Sequence, residues 1–381
     1  MRRRTLPLFP AAALPLLATA LSLVLAAGLT FGFTAPAAAS TTAARPSADV
    51  WPYSVLPGFD PLRASVRPMD LVSAPRDLDV TYTADGRTRT LQEYLDRTAQ
   101  GFIVLDGNEI VKEWYAAGYT RGSLFQSWSM AKSFTAGAVG AALADGAIRS
   151  IDDKVTRYLP ELASSGYGDV SLRDLLRMSS GVRWNENIDD IPMHVGVSMG
   201  WTSTPQVAGT LRRAWEPGGR FEYSSPNSAV LALAVQRATG MPLHRYVQKR
   251  LWGPSGMAGT AYVGNDSHGN GLGYCCIYAT VRDFARYGKM MLDGGVAAGR
   301  RVLPASWVAA STSPSGVSPR YGLHWWVDGD EGYYASGLGD QKIYVSTRHR
   351  VVIVRTTFLN AGSGETLAAL RAVAAEVART R

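Results

Sequence analysis

Residues 129–146 read SMAKSFTAGAVGAALADG, a run of small and apolar residues that begins with a serine and ends at a glycine. The run contains no proline and is apolar on most faces, so we predict a buried helix that ends at Gly146. Residues three apart on a helix are neighbours, so the amine of Lys132 can reach the hydroxyl of Ser129 and act as its base. The alternative is that Ser129 caps the helix and Lys132 is a surface charge.

Short runs on either side of this helix predict the rest of the architecture. Two β-rich runs around Asp106-Gly107 predict a hairpin over 101–119. Glycine endings or an amphipathic period predict further helices at 170–181, 227–240, 280–295 and 364–380. β-rich runs predict strands within 321–327, 332–339, 341–347 and 350–357. We therefore expect an α/β protein of the α+β type, with an antiparallel sheet built from both chain ends and flanked by helices, and a mostly helical lobe over about 147–290.

The first 39 residues have the composition of an export signal. The arginines Arg2–Arg4 precede a long apolar stretch, and Ala37–Ala39 fits a signal-peptidase site. The stretch is also long enough to span a bilayer, so an uncleaved N-terminal anchor is the alternative. Residues 40–76 are predicted as a linker or extended segment, and 77–381 as the working domain. We expect that domain outside the cytoplasm, secreted or attached to a membrane only through the N-terminal segment.

Composition limits the partners and cofactors of the chain. The 381 residues are 46% hydrophobic, which is enough for a sizeable core. The basic residues behind the net charge of +8 are scattered, which argues against a nucleic-acid partner. The two cysteines, Cys275 and Cys276, are adjacent and offer neither a disulfide framework nor a cysteine metal set. We expect a buried reduced pair, with a vicinal disulfide as the alternative, and we expect no metal or organic cofactor.

The stretch FEYSSPNSAV adds two candidates to the Ser129–Lys132 pair. Tyr223 ends a strand-like run, and Asn227 enters the next helix. A lysine ammonium can lower the pKa of a neighbouring tyrosine enough for the phenol to act as a general base. Asn227 could bond Lys132 or a substrate amide. The alternative is that Tyr223 is a half-buried packing residue.

A glycine inside a β-rich run marks a candidate edge of the site. Ser336 and Gly337 lie in YYASGLGDQ, and a strand glycine often marks the close approach of a ligand or another backbone. The N–H of Leu338 could then join that of Ser129 as an oxyanion hole, worth about 3 kcal/mol in a transition state. The alternative is a simple strand-to-turn glycine.

A second serine motif lacks the context that it needs. Residues 196–200 read GVSMG and match G-x-S-x-G, the nucleophile elbow of α/β-hydrolases. That motif works on a sharp turn from a buried strand into a helix, whereas the preceding ENIDDIPMHV does not predict a strand. We therefore expect Ser198 to lie in a glycine-rich loop without a catalytic role.

In their order along the chain, these stretches resemble the serine β-lactamase-like hydrolases over residues 80–381. The resemblance rests on SWSMAKSFTAGAVGAAL, VSLRDLLRMSSGVRWNE, FEYSSPNSAVLALAVQRATG and VRDFARYGKMMLDGGV. The branch of class C β-lactamases and carboxylesterases looks most similar, and within it the 6-aminohexanoate-dimer (nylon-oligomer) hydrolases. The resemblance implies a β-lactamase/transpeptidase-like fold.

The resemblance also implies catalytic roles for the matched residues. Ser129 would be the nucleophile, and Lys132 and Tyr223 would share the base and acid roles. The backbone N–H groups of Ser129 and Leu338 would hold the oxyanion. No metal or organic cofactor is required for such a reaction.

Four further residues would contact substrate by the same resemblance. Asn227 lies in a looser Y-x-S-x-N version of the tyrosine motif, and Ser336 and Gly337 match the third, K-T-G-like motif. Ala335 replaces the basic first residue of that motif, which in the family helps to bind the carboxylate of penicillins and peptidoglycan stems. Trp326 occupies a place where the family lines its cleft with aromatic residues, although core packing is nearly as consistent.

Three functions stay open on these residues, and each leaves the natural substrate and the oligomeric state undetermined. The first is a secreted serine hydrolase that cleaves a small-molecule ester or linear amide, such as a 6-aminohexanoate oligomer, through an acyl-enzyme on Ser129. The second is a β-lactamase or DD-peptidase, against which Ala335 argues. The third is a non-catalytic binding protein, whose usual sign is loss of the serine, lysine or tyrosine; all three are present.

Overall fold

Strands and helices alternate through residues 58–357 and 363–381, which the computed structural model describes. The strands are β1 Gly58–Leu62, β2 Val72–Ser73, β3 Thr81–Ala84, β4 Arg87–Thr90, β5 Gly101–Asp106, β6 Glu109–Tyr115, β7 Phe125–Gln126, β8 Ala261–Asn265, β9 Ile277–Ala279, β10 Val296–Ala297, β11 Arg300–Arg301, β12 Trp326–Val327, β13 Gly332–Gly337, β14 Gln341–Ser346 and β15 Val351–Thr356. The α-helices are α1 Leu91–Thr98, α2 Ala131–Ala144, α3 Leu172–Leu176, α4 Glu186–Ser198, α5 Thr204–Thr210, α6 Ser225–Thr239, α7 Leu243–Val247, α8 Val281–Leu292, α9 Ala305–Thr312 and α10 Ser363–Arg379.

Both ends of the chain build one seven-stranded sheet, as the sequence predicts. Its order is β12–β13–β14–β15–β5–β6–β2. The two halves meet where β15 pairs antiparallel with β5, and β2 is parallel to β6. The predicted hairpin around Asp106-Gly107 is confirmed as β5–β6. β5 is buried along nearly its whole length, which explains its continuous apolar sequence.

Two hydrophobic cores form, one on each face of this sheet. Tyr94 of α1 and Leu370 of α10 belong to the core on one face. Phe134 of α2 and Phe284 of α8 belong to the larger core on the other face. α6 packs along α2 in that larger core, so the helix predicted from SMAKSF lies between the sheet and the helical part of the chain.

The predicted helices are present, but the one predicted over 170–181 is much shorter: α3 covers Leu172–Leu176 and does not extend to Gly181. α6 begins at Ser225, two residues before the predicted start, because Pro226 fits the first turn of a helix. It ends at Gly240, which has a φ of 64° and forms a left-handed cap. α3 to α8 fall within the segment predicted as helical or just beyond its end, and strands β8 and β9 interrupt them.

Part of the predicted linker belongs to the folded domain. β1 pairs antiparallel with β8, in a second sheet of order β1–β8–β9–β7. Leu62 and Met69 are buried in the larger core. The signal or anchor predicted over 1–39 lies outside the described residues. Within the described segments, none of the helices has the length and apolar character that a membrane crossing requires.

Candidate active site

Ser129 and Lys132 lie together at the start of α2. Ser129 belongs to a 3₁₀ turn, Trp128–Met130, that runs directly into the helix. Nζ of Lys132 lies 2.8 Å from Oγ of Ser129. Lys132 is 1% exposed, whereas Ser129 is partly exposed, so a buried amine stands behind an accessible hydroxyl. The alternative of a surface lysine beside a helix cap is wrong on both points, because Lys132 is buried and the N-cap residue of α2 is Met130 instead of Ser129.

The backbone of Trp128 turns the chain into this arrangement. Its φ of 45° is in the left-handed region, which a bulky residue seldom adopts. Ser127, just before it, is fixed by two hydrogen bonds to Ile277: its N–H donates to the Ile277 carbonyl at 2.8 Å, and its Oγ accepts from the Ile277 N–H at 3.0 Å. Neighbouring structure therefore holds an uncommon conformation directly before Ser129, a pattern typical of functional sites.

The amine of Lys132 has three hydrogen-bond acceptors around it. Besides Ser129, it donates to Oγ of Ser225 at 2.9 Å and to the carbonyl oxygen of Tyr274 at 3.3 Å. The Glu186 carboxylate lies 3.7 Å away. Three acceptors and a nearby carboxylate suit a protonated lysine, which has three N–H groups to donate. Burial disfavours the charged form, but Tyr223 and the carboxylates of Glu186 and Asp190 outweigh it and raise the pKa of Lys132.

Tyr223 completes a triad with this pair. Nζ of Lys132 lies 4.9 Å from the centre of the Tyr223 ring, and the phenol interacts with Ser129. Burial raises the pKa of Tyr223; the charge of Lys132 opposes this without reversing it, and Glu186 adds to the rise. The expectation that Lys132 lowers the pKa of this phenol is therefore wrong as a net effect. The resting site holds a lysine ammonium and a neutral phenol.

Trp326 is part of an aromatic wall around Tyr223. Its ring stacks on that of Tyr223 with centroids 5.6 Å apart, and Tyr321 meets both rings edge-on. Trp326 keeps part of its surface exposed, as expected of a residue at the mouth of a cleft. The structure thus brings Trp326 to the candidate catalytic group, and its contact with substrate stays a prediction.

Two carboxylates that the sequence interpretation missed lie beside Lys132. Glu186 accepts hydrogen bonds from the Ser225 N–H at 2.8 Å, the Ser225 hydroxyl at 2.6 Å and Nε1 of Trp184 at 2.6 Å. Burial, with the nearby charge of Glu186, raises the pKa of Asp190 to about 6. These residues lie one helical turn apart on α4, and their spacing in the sequence ENIDD was the available signal.

Ser225 occupies the place beside Lys132 that was expected for Asn227. Asn227 is fully buried; its Oδ1 accepts from the Tyr167 hydroxyl at 3.1 Å, and its Nδ2 faces the sulfur of Met178. The expectation that Asn227 bonds Lys132 is therefore not met. Because Ser225 is two residues after the tyrosine, it holds the third position of the Y-x-N motif that a lactamase would fill with asparagine.

The third motif lies on β13, next to the turn that carries Ser129. A Cβ added to Gly337 would lie 2.3 Å from the carbonyl oxygen of Ser127, so only glycine fits this close approach of two backbones. Leu338, whose side chain is 48% exposed, follows directly where the chain leaves the strand. Gly337 therefore lies against the backbone just before Ser129, and the oxyanion role of the next residue, Leu338, stays a prediction.

Ser336 faces away from that turn and binds a lysine of the next strand. Strand alternation puts it on the same face as Tyr334, opposite to Ala335, which packs in the larger core. Its Oγ accepts from Nζ of Lys342 at 2.8 Å, and the same ammonium is ion-paired with Asp340. The Lys342 ammonium is therefore already bound to Asp340 and Ser336, and position 335 carries no positive charge.

The Cys275–Cys276 pair is oxidised to a vicinal disulfide, so the expectation of a reduced pair is wrong. The pair belongs to a segment that holds the start of α2. In this segment the Gly273 carbonyl accepts from the Thr135 hydroxyl, and the Tyr274 carbonyl accepts from Lys132. The disulfide therefore lies in the wall directly behind the candidate catalytic lysine.

Ser198 is not at a nucleophile elbow. It is the last residue of α4, a helix that continues through Pro192, whereas a loop was expected there. It is 2% exposed, and its hydroxyl has no hydrogen-bond partner among the described residues. The expectation that the strand–turn–helix context is missing is confirmed.

Comparison with known proteins agrees with the geometry. The beta-lactamase family model matches residues 34–377. A 6-aminohexanoate-dimer hydrolase of Paenarthrobacter ureafaciens is 32% identical over 299 residues, which cover 71% of this chain and 75% of that protein. A candidate 6-aminohexanoate-dimer hydrolase from Bacillus anthracis has a TM-score of 0.77 at 22% identity, over 84% of this chain and 90% of that one.

A second solved structure shares the fold at lower sequence identity. The D-stereospecific amidohydrolase of a Streptomyces species has a TM-score of 0.56 at 19% identity, over 75% of this chain and 97% of that one. At this identity the likeness concerns the fold alone, which is the predicted β-lactamase/transpeptidase-like fold. With the family match over most of its length, the chain belongs to the β-lactamase family, and it is a hydrolase of the β-lactamase-like type.

Proposed function

We propose that this chain hydrolyses small linear amides or esters through an acyl-enzyme on Ser129, with 6-aminohexanoate oligomers as the leading substrate class. The observation that carries the proposal is the 2.8 Å contact between Nζ of Lys132 and Oγ of Ser129, with Tyr223 beside both. An accessible hydroxyl with a buried amine and a phenol in reach is the arrangement of an activated nucleophile. The amide substrate class is supported by the 32% identical relative.

The proton transfers follow from the charges around the pair. In the resting site Lys132 and Tyr223 are both protonated, so one proton must leave the pair before it can act as a base. The Ser129 proton then moves to the pair as Oγ attacks the carbonyl carbon, and the pair returns a proton to the leaving amine or alkoxide. Water reverses the sequence: it gives a proton to the pair, attacks the acyl carbon, and Ser129 regains its proton.

The negative charge on the substrate oxygen needs donors that are fixed in advance. The N–H groups of Ser129 and Leu338 are the proposed donors, because Gly337 brings β13 against the backbone just before Ser129. N–H groups that are already in place need no reorganisation as the charge develops. The exposed Leu338 side chain would border the entering substrate.

The charge near the third motif favours a neutral amide or ester over a penicillin. Position 335, where the family carries a cation, is a buried alanine. The nearest lysine on the adjoining strand, Lys342, is 3% exposed and already binds Asp340 and Ser336. Neither position 335 nor Lys342 would therefore offer a free cation to a substrate carboxylate at this edge, which argues against an efficient β-lactamase or DD-peptidase.

Export from the cytoplasm is also part of the proposal. The composition of residues 1–39 supports it, and so does the Cys275–Cys276 disulfide, because disulfides persist mainly in oxidising compartments. Cell fractionation, with sequencing of the mature N-terminus, distinguishes a cleaved leader from an anchor. Full-length protein in the cytosolic fraction would contradict export.

A fluorophosphonate probe tests the nucleophile directly. We expect one adduct, located on Ser129 by mass spectrometry and absent in Ser129→Ala; the matched control Ser198→Ala should react like the unmodified protein. An adduct on Ser198, or none, would contradict the proposal and, in the second case, favour a binding protein. Turnover of a nitrophenyl ester, a 6-aminohexanoate linear dimer and a chromogenic cephalosporin then ranks the substrates, and a preference for the cephalosporin would favour the β-lactamase alternative.

A further inference from the structure

A second cluster of reactive side chains lies behind the catalytic wall. The sulfurs of Cys275 and Cys276 and a ring nitrogen of His194 all lie within 4.8 Å of one another. Sγ of Cys275 is 3.7 Å from Nδ1 of His194. All three residues are buried, and the proposed hydrolysis uses none of them. Two sulfurs and an imidazole are ligands typical of thiophilic metal ions.

The imidazole is suited to bind a metal. His194 is buried, and its Nδ1 faces the disulfide at 3.7 Å from Sγ of Cys275. The Tyr274 hydroxyl lies 3.2 Å from the same nitrogen, so a cation that binds Nδ1 replaces the hydrogen bond between His194 and Tyr274.

The surroundings of Cys276 are incompletely satisfied in the disulfide form. Nε2 of Gln126 lies 3.7 Å from Sγ of Cys276, while Oε1 of the same amide is buried and has no hydrogen-bond partner in the described part of the chain. A thiolate at Cys276 would accept the Gln126 N–H as a charge-assisted hydrogen bond, whereas a neutral disulfide sulfur is a weak acceptor. The backbone of Cys276 has a φ of 77°, a left-handed conformation that is uncommon for a residue with a side chain.

We propose that reduction of the Cys275–Cys276 disulfide creates a binding site for one thiophilic divalent cation, such as Zn²⁺ or Cd²⁺, with His194 as the third ligand. A dithiol reductant transfers the two electrons: its first thiolate breaks the S–S bond to form a mixed disulfide, and its second thiolate displaces the protein sulfur and closes a cyclic disulfide. The two protein thiols then lose their protons to solvent as the cation binds. The disulfide form cannot bind, because its sulfurs carry no negative charge.

Occupation of this site acts on the catalytic lysine through one residue. Cys275 follows Tyr274, whose carbonyl accepts from Lys132, and His194 packs against the ring of Trp128 at 6.1 Å between centroids. A cation that draws the two sulfurs and the imidazole together therefore shifts groups on both sides of Ser129. Loading of the reduced protein with cation lowers the hydrolysis rate.

Cation binding is measured on the full chain without an affinity tag, and it does not depend on the proposed function. The protein is reduced with dithiothreitol, desalted without oxygen, and checked for two free thiols; Cd²⁺ is then added. We expect one Cd²⁺ per chain with a thiolate charge-transfer band, and neither in the oxidised protein nor in the Cys275→Ser/Cys276→Ser double variant. His194→Ala should weaken binding about tenfold or more, whereas the exposed His268→Ala should not.

The outcomes separate this proposal from the assignment of the nucleophile. A folded protein that resists reduction, or a reduced protein that binds no Cd²⁺, overturns the site, and so does unchanged binding by the double serine variant. Ester hydrolysis is the second readout: Cd²⁺ should inhibit the reduced protein and spare the double serine variant. Equal inhibition of both would overturn the coupling to Lys132. If the fluorophosphonate forms no adduct on Ser129, the assignment of the nucleophile fails, but the result for Cd²⁺ binding still stands.

Discussion

Replacement of Glu186 by glutamine tests how the site sets its working pH. Its carboxylate lies 3.7 Å from Nζ of Lys132 and raises the pKa values of both Lys132 and Tyr223. Two unit charges at this distance interact by about 4 kcal/mol at an effective dielectric of about 20. Glu186 is 21% exposed, so solvent screens part of this energy. If about a third of this energy survives, loss of the Glu186 charge changes the pKa of the Lys132–Tyr223 pair by about one unit, since one unit corresponds to about 1.4 kcal/mol.

The sign follows from the protonation state that reacts. In the proposed mechanism the Lys132–Tyr223 pair must lose a proton before it can accept one from Ser129, so we expect kcat/KM to rise with pH. Glu186→Gln lowers both pKa values and should move the rising limb of the pH profile about one unit toward acid. At a pH below the limb, the ratio of kcat/KM to its high-pH plateau should then be up to about tenfold larger in the variant than in the unmodified protein. The charge-matched control is Glu216→Gln, whose side chain is 84% exposed and whose charge is screened by water.

The assay is the pH dependence of kcat/KM for a nitrophenyl ester, corrected for spontaneous hydrolysis. The position of the limb is the readout, and its height is not, because the substitution also alters the hydrogen bonds of Ser225. A limb that stays in place, or moves toward alkali, would refute the idea that Glu186 keeps the pair protonated. An equal shift in the Glu216→Gln control would show a general charge effect instead.

Gly337→Ala should lower kcat about 100-fold or more, because the added Cβ displaces the strand β13 that leads to the proposed oxyanion donor. In the control Gly316→Ala the added Cβ meets nothing within 4 Å, so this variant should retain activity. Equal rates for the two variants would contradict the proposed oxyanion hole. Ser225→Ala should lower kcat/KM per folded molecule about 10-fold or more, whereas Asn227→Ala should lower Tm and spare the rate per folded molecule; the reverse effects on the rate would restore Asn227 to the site. Asp190, whose pKa is raised to about 6 in the folded state, gives stability at acid pH that is lost as pH rises through about 6. Asp190→Asn should therefore stabilise by roughly 3 kcal/mol at most at pH 8 and by less at pH 5; a thermal-shift gain without pH dependence would contradict this.

The features that the sequence predicts are those set by neighbours along the chain. The Ser129–Lys132 contact depends on the i,i+3 geometry of one helix turn, and the β5–β6 hairpin depends on its Asp-Gly turn. The contribution of both chain ends to one sheet was also predictable, because β-rich runs occur at both ends, whereas the order of the strands was not predicted. For these features local preference and tertiary structure agree, which is why a single sequence was sufficient.

The features that the sequence does not predict depend on contacts between distant segments. Ser225 reaches Lys132 across 93 residues, and Glu186 reaches Ser225 across 39. β1, whose burial pattern shows no alternation, is a strand only because β8 lies beside it. The disulfide state of Cys275 was equally open, since adjacent cysteines allow both forms. In each case a side chain that is unremarkable in its own stretch acquires its role from a partner elsewhere.

The third motif shows that a charge must be assigned to a face of the sheet before it is given a role. By sequence alone, Lys342 lies seven residues after the alanine that replaces the family cation, and it could appear to compensate for the loss. The register pairs Lys342 with Ser336, and strand alternation points both away from Ala335, whose face packs on the helix of Lys132. Because Asp340 and Ser336 already bind the ammonium, moving it to the other face would break a buried ion pair and bury a charge without a partner. Lys342 therefore does not replace the missing cation at position 335, and on the side of Ser129 the charges of Glu186 and Asp190 act on Lys132.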